Sequence, residues 1–466
     1  MKINQQKDAK MRFGFVMSAI IMFFGACQTD HDQGIVDQAT SLEGIWLSEG
    51  YGRLLWIREG KAKTYDISGA GCMMRGDFFD VAGDDVSVWN VTVAEDRNHF
   101  LYHAQATVNT YVFNKIDALP GICDDGGLKT TDPLTNFDYL WALFNEHYAF
   151  FQAREIDWGL IREHYREQVT DENLWDITTE MLSVFGDDHV TLYDNQDRYF
   201  QAGQQRLYVR FYEEYVDAGE PGGDFEQYIQ QEYGKVLSNI SNYLPHGAHV
   251  GANGKVLWGK ANEETGYLQI AEMNGLTEPY DLKSQVPAMH HVMDRVVNDF
   301  EDCTNVIIDI RFNSGGLDIV SLALAGRFAS KQQPVWKVSA RDVLSFTPTQ
   351  VITLAPTGNT QLTKNVVVLT SNFTASAAET FALAMKQLPN VTIIGERTNG
   401  IFSTMLNKKM PNGWTVTLSN ERWADASDAC YEVSGITPHI EAPFPSKTNR
   451  DDGIDPVLLK ALEYLE

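Results

Sequence analysis

Basic residues are scarce in this chain of 466 residues. Lys and Arg number 37 against 63 Asp and Glu, a net charge of −26. A surface this acidic repels nucleic-acid phosphates and anionic lipid headgroups, which argues against nucleic acid or a charged bilayer as a partner. Cysteine is sparse too, with five in all and no CxxC pair, which argues against metal-binding and thioredoxin-like chemistry. No phosphate-cradling glycine loop is present, which argues against nucleotide use. There is no low-complexity tract, no internal repeat and no apolar run long enough for a comfortable membrane span. What is present is an ordinary globular composition, 44% hydrophobic and 21% charged, with length for two or three domains.

The longest apolar run lies at the start. "MKINQQKDAKMR" is basic, and "FGFVMSAIIMFFGA" follows and ends in small residues, the pattern of a signal peptide. "FFGAC" resembles a bacterial lipobox. Residues 1–26 are therefore expected to be a lipoprotein signal peptide, Cys27 the lipidated start of the mature chain and 27–40 a tether. Gln28, where an Asp would signal retention, points to the outer membrane facing the periplasm. Contact with a membrane would then run through the lipid anchor alone. In that oxidising compartment Cys72, Cys123, Cys303 and Cys430 allow three pairings, and the same-domain pairs Cys72–Cys123 and Cys303–Cys430 are favoured.

Short alternating runs such as "GIWLSEG", "RLLWIREG" and "TYVFNKI" predict a β-rich domain over 41–118. "LPGICDDGGLKTTDP" predicts a linker over 119–131. Apolar residues then recur three and four apart in three segments, predicting a helical cap over 132–195 that ends in "GDDHVTLYD". Residues 196–265 read as an acidic helical insert with loops at "GEPGG" and "PHGAHVGANGK". From 266 to 466 strands alternate with helices: "TGYLQIAEM", "NVIIDI", "NVVVLT" and "VTIIGE" are strands, and "ASAAETFALAMKQL" is a helix. Asn412-Gly413 turns a hairpin. Such alternation predicts an α/β core with a mostly parallel sheet.

Four places in this frame could carry chemistry. Ser376 opens a helix, and Ser-Ala-Ala-Glu matches an S-x-x-E capping box. The same position suits a nucleophile, because the unpaired N–H of Ala377 could hold an oxyanion. In "DIRFNSGG", Gly315 and Gly316 either make a tight strand-to-helix turn or supply a second oxyanion donor at the end of a strand. His189 could be structural, or the base a serine needs. Glu432 is either a solvated loop carboxylate or the group that orients that imidazole. The histidines of "PHGAH" and the pair His290–His291 lack further ligands at suitable spacing, so no metal is expected.

Together these segments resemble the tail-specific, or C-terminal-processing, serine peptidases, in the branch with tricorn cores and interphotoreceptor retinoid-binding-protein-like modules. The resemblance runs from about Asp132 to Pro445 through "GDDHVTL", "TGYLQIAEM", "DIRFNSGG", "TASAAE", "IIGERTNG" and "YEVSGITPHIEAP", in the family's order. It implies an α/β, crotonase-like (ClpP-like) peptidase core with a helical cap, here preceded by a small all-β N-terminal domain. It also implies Ser376 as nucleophile, His189 as base, Glu432 as orienting carboxylate with Asp188 as its competitor, Ala377 with Gly315 and Gly316 as the oxyanion hole, a peptide or protein substrate, and no cofactor. Two departures stand out. Ile401 occupies the place of the lysine in the family's Ser–Lys enzymes, and no PDZ-type loop appears between Leu192 and Gly266. A non-catalytic ligand-binding or partner-binding lipoprotein on the same fold is the rival expectation. An acyl-thioester enzyme is disfavoured by the export signal.

Overall fold

The computed structural model describes residues 41–75, 83–194, 196–221 and 223–466. The signal peptide, Cys27 and tether expected over 1–40 lie outside the described residues. Seven antiparallel strands between Gly44 and Ile116 form one sheet. Alternation in Gly44–Ser48 and its partners sends Trp46, Leu55, Phe100 and Phe113 to one face, where Phe100 and Phe113 stack. That face packs on Phe137, Leu140 and Phe144 of the helix Pro133–His147, so the β domain and the helical cap share a core.

The segment 119–131 is more firmly held than a linker. A disulfide joins Cys72 to Cys123, and Leu128 N–H donates to Cys72 O. The other favoured pair does not form. Cys303 is buried behind the central sheet, Cys430 sits in the loop after the strand Glu421–Asp425, and both are free thiols.

The central sheet has seven strands in the order His249–Gly251, Val256–Lys260, Thr265–Ile270, Asn305–Asp309, Asn365–Thr370, Val391–Gly395 and Ile440–Glu441. The first two are antiparallel additions, and the remainder run parallel. The core sheet therefore begins inside the segment expected to be a helical insert. Its first hairpin was hidden by glycine-rich spacing, and it turns at Ala252 and Asn253, both at positive φ. The insert otherwise holds the expected helices, Arg206–Asp217 and Phe225–Ser241.

Both faces of the parallel strands are covered, as their continuous apolar runs require. Val306, Ile308, Val366 and Val368 face Gln285–Asp299, Asp318–Ala325 and Ala377–Lys386. Ile307, Val367 and Leu369 face the insert helices and Pro456–Leu465. Two small sheets complete the fold. One pairs Gln333–Asp342 with Gln350–Leu354 and Glu421–Asp425. The other pairs Thr191–Tyr193 with Thr415–Ser419, the second arm of the Asn412-Gly413 hairpin.

Candidate active site

Asn305–Asp309 and Asn365–Thr370 are adjacent and parallel, so their C-terminal ends deliver "RFNSGG" and "SNFTAS" side by side. The first loop is braced from below. Arg311 is fully buried between Asp309 and Asp455, at 2.6 and 2.8 Å. Asn313 Nδ2 donates to Ile270 O, and Thr374 Oγ1 to Ile310 O.

Ser376 precedes the helix Ala377–Lys386 at φ 55° and ψ −126°, a region that non-glycine residues occupy only under constraint. An N-cap needs an extended residue, and this one is not extended, so its hydroxyl caps nothing. The expected capping box is thereby corrected. Glu379 turns instead to another segment, accepting the N–H groups of Gly400 and Ile401 at 2.7 Å each. Burial raises its pKa to about 7.

Ala377, first in the helix, has no intrahelical acceptor for its N–H. A Cβ on Gly315 would lie 2.6 Å from Ser376 Cβ and 3.0 Å from Ala377 N, so the space beside the serine exists because residue 315 has no side chain. Gly315 N–H already donates to Asn313 Oδ1 at 2.9 Å. Of the two glycines expected in an oxyanion hole, Gly316 is therefore the one with an uncommitted N–H.

His189 lies between the helix Leu174–Ser183 and the strand Thr191–Tyr193. Its N–H donates to Asp187 Oδ1, and its carbonyl accepts from Thr417 Oγ1. Burial lowers the ring's pKa, opposed by Asp187 and by the nearby Ser403 backbone. Glu432 Oε2 accepts from Phe402 N and Ser403 N at 2.7 and 3.2 Å. Burial, then Asp187, raises its pKa well above the usual range.

Ser376, His189 and Glu432 thus meet along one segment, Gly400–Ser403. Ser376 N–H donates to Ile401 O there at 2.9 Å, and Ile401 itself is buried. Among the described residues no hydrogen bond joins Ser376 Oγ to His189 or His189 to Glu432. His189 Nδ1 and Glu432 Oε1 are both buried without a partner.

Asp188, the competing carboxylate, accepts from Asn399 Nδ2 at 2.9 Å, and burial raises its pKa to about 6. The acid that influences the ring is its neighbour Asp187, fully buried and bonded to Tyr148 OH. Arg154 Nη2 stands 3.5 Å from Asp187 and 3.9 Å from Glu432. Sequence reading named neither Asp187 nor Arg154. The doubled acid of "GDDH" held the first signal, and nothing local marks Arg154.

The family model described as Peptidase family S41 matches residues 264–442. The carboxy-terminal processing protease CtpA of Bacillus subtilis is 31% identical over 143 residues, 30% of this chain and 28% of that protein. The tricorn protease of Thermoplasma volcanium is 24% identical over 227 residues, 48% of this chain and 19% of its own length. This chain therefore spans less than a third of the curated relatives it matches. Among solved structures, a protein of Parabacteroides merdae assigned as a peptidase superposes with a TM-score of 0.58 at 24% identity, covering 72% of this chain and 97% of its own. Mature CPAF complexed with lactacystin superposes at 0.50 with 13% identity, covering 72% and 97%. Both likenesses bear on the fold.

Proposed function

We propose, on the match of residues 264–442 to the model of peptidase family S41, that the chain is a serine peptidase cleaving peptides or protein tails. Ser376 Oγ attacks the scissile carbonyl and gives its proton to His189. The N–H groups of Ala377 and Gly316 receive the oxyanion. His189 passes the proton to the departing amine as the C–N bond breaks, and water hydrolyses the acyl-enzyme. Glu432 holds the peptide of Phe402–Ser403 on which the imidazole rests. With Ile401 in the lysine's place, the base is the histidine.

The observation that carries this reading is the constrained backbone of Ser376, whose hydroxyl is released from helix capping beside an open N–H. Treating residues 28–466 with a fluorophosphonate tests it. One label per chain, lost in Ser376→Ala and His189→Ala, is the expected result. A folded wild type that takes no label supports the second reading, a binding protein on the same fold. That reading draws on the absence of a bond between Ser376 and His189. For location, the proposal is anchoring at Cys27 in the outer membrane facing the periplasm. Radiolabelled palmitate incorporated by wild type and not by Cys27→Ala is the outcome expected.

A further inference from the structure

Ser403 is the residue on which the site's groups converge, and it is fully buried. Its N–H donates to Glu432 at 3.2 Å, and its backbone is among the groups that favour the protonated His189 ring. Its hydroxyl accepts the N–H of Glu421 at 3.0 Å. The buried Glu421 carboxylate in turn accepts from Tyr51 OH at 2.7 Å, Asn109 Nδ2 at 2.8 Å and Trp423 Nε1 at 3.0 Å. Tyr51 and Asn109 belong to the N-terminal β domain.

Tyr51 grips the core a second time through its main chain. Lys408 Nζ, on the strand Met405–Lys409 just after Ser403, donates to Tyr51 O at 2.6 Å and Gly52 O at 2.8 Å. The turn seats tightly. A Cβ on Gly50 would meet Thr347 and Ala340 at 2.7 and 2.9 Å, and one on Gly52 would meet His147 Nε2 at 2.5 Å. Both glycines lie at positive φ.

We propose that Tyr51 is a positioning residue of the active site: through Glu421 and Ser403, the Gly50–Gly52 turn of the β domain sets the peptide on which His189 and Glu432 rest. Its consequence for catalysis rests on the peptidase reading, while the linkage itself does not.

The test uses residues 28–466 as wild type, Tyr51→Phe, Glu421→Gln, Ser403→Ala and Gln350→Ala. Gln350 is the control. It exchanges two hydrogen bonds with the Thr110 backbone, at 2.8 and 2.7 Å, and so joins the β domain to the core away from Ser403. Two quantities are read: the titration of His189 by histidine-selective NMR, assigned with His189→Gln, and the fluorophosphonate labelling rate. The charged groups that act on the ring, Asp187 and Arg154, and the nearby carboxylates Asp188 and Glu432 are unchanged in all five proteins.

Tyr51→Phe and Glu421→Gln are expected to move the His189 midpoint down by about half a unit, roughly threefold in proton affinity, because a loosened Ser403 no longer favours the protonated ring. They slow labelling by about tenfold through misalignment. Gln350→Ala changes neither, and adding Tyr51→Phe to Ser403→Ala has no further effect. An unmoved His189 midpoint in Tyr51→Phe and Glu421→Gln overturns the inference, as does an equal shift in Gln350→Ala. If wild type takes no label yet the midpoint still moves, the peptidase reading fails and the positioning stands.

Discussion

At the scale of single residues, what separates this serine from a helix cap is its backbone and the glycine beside it. A methyl on Gly315 would point at Ser376 Cβ and Ala377 N, and Gly315 itself lies at φ +118°. Gly315→Ala is therefore expected to slow fluorophosphonate labelling by about a hundredfold, the scale of a lost oxyanion donor, with the fold retained in circular dichroism. Labelling that stays within a few-fold of wild type moves the oxyanion site away from Ala377. The pH dependence has a definite sign. On the proposed mechanism the neutral ring acts as base, and burial lowers its pKa from 6.5, so labelling should rise with pH and level off at a midpoint below that value. Asp188 titrates close by, at about 6. The midpoint should survive in Asp188→Asn, and its disappearance there would assign the step to Asp188. Ser376, His189 and Glu432 could be named as candidates because each stands in a recognisable string. Asp187 and Arg154 could not, since only tertiary packing brings residue 154 to 3.9 Å from residue 432.

At the scale of elements, continuous β-branched runs such as "NVIIDI" were readable because both faces of a parallel strand are buried, and such runs have few other uses. The hairpin His249–Gly251 with Val256–Lys260 was not. "PHGAHVGANGK" offers three glycines and one β-branched residue, and the segment is a strand only because Thr265–Ile270 templates it. The sheet around Gln333–Asp342 escaped for a like reason, its partner Glu421–Asp425 lying far along the chain. Cysteine pairing was half legible: proximity in sequence found Cys72–Cys123, while Cys303 faces the central core and Cys430 a loop. Alkylation under denaturing, non-reducing conditions should mark Cys303 and Cys430 and leave Cys72 and Cys123 untouched. Because the bridge spans 51 residues, Cys72→Ser with Cys123→Ser should lower stability by about 4 kcal/mol on the loop-entropy account, read by urea unfolding. A loss under about 1 kcal/mol would mean that the sheet alone orders this segment.

At the scale of the whole molecule, the β domain is built into the α/β core. One apolar cluster runs from Trp46 and Phe113 through Phe144 to Leu406 and Leu418. Beside it Asp66, fully buried, faces three buried cations. Arg53 bonds one carboxylate oxygen, Arg75 Nη1 lies 2.9 Å from the other, and Lys408 Nζ reaches from the core hairpin to 3.2 Å. Burial alone would raise the Asp66 pKa, but Arg53, Lys408 and Arg75 more than offset it and hold it well below the usual carboxylate range. A depressed folded pKa gives stability that is present above the unfolded value near 3.9 and lost as pH falls through the folded one. Lys408 is the cation that yields its proton most readily, at about 7, since burial disfavours a further positive charge. Asp66→Asn removes the carboxylate that Arg53, Arg75 and Lys408 share, and breaking a buried pair of this kind costs about 3–5 kcal/mol. Because cluster and apolar core both cross from sheet to hairpin, the loss should appear as one cooperative urea transition at neutral pH, with hydrogen exchange rising together at Leu55 in the β domain and Leu418 in the hairpin. Separate transitions, with Leu418 still protected after Leu55 opens, would instead make the β domain an independent folding unit whose turn merely leans on the core.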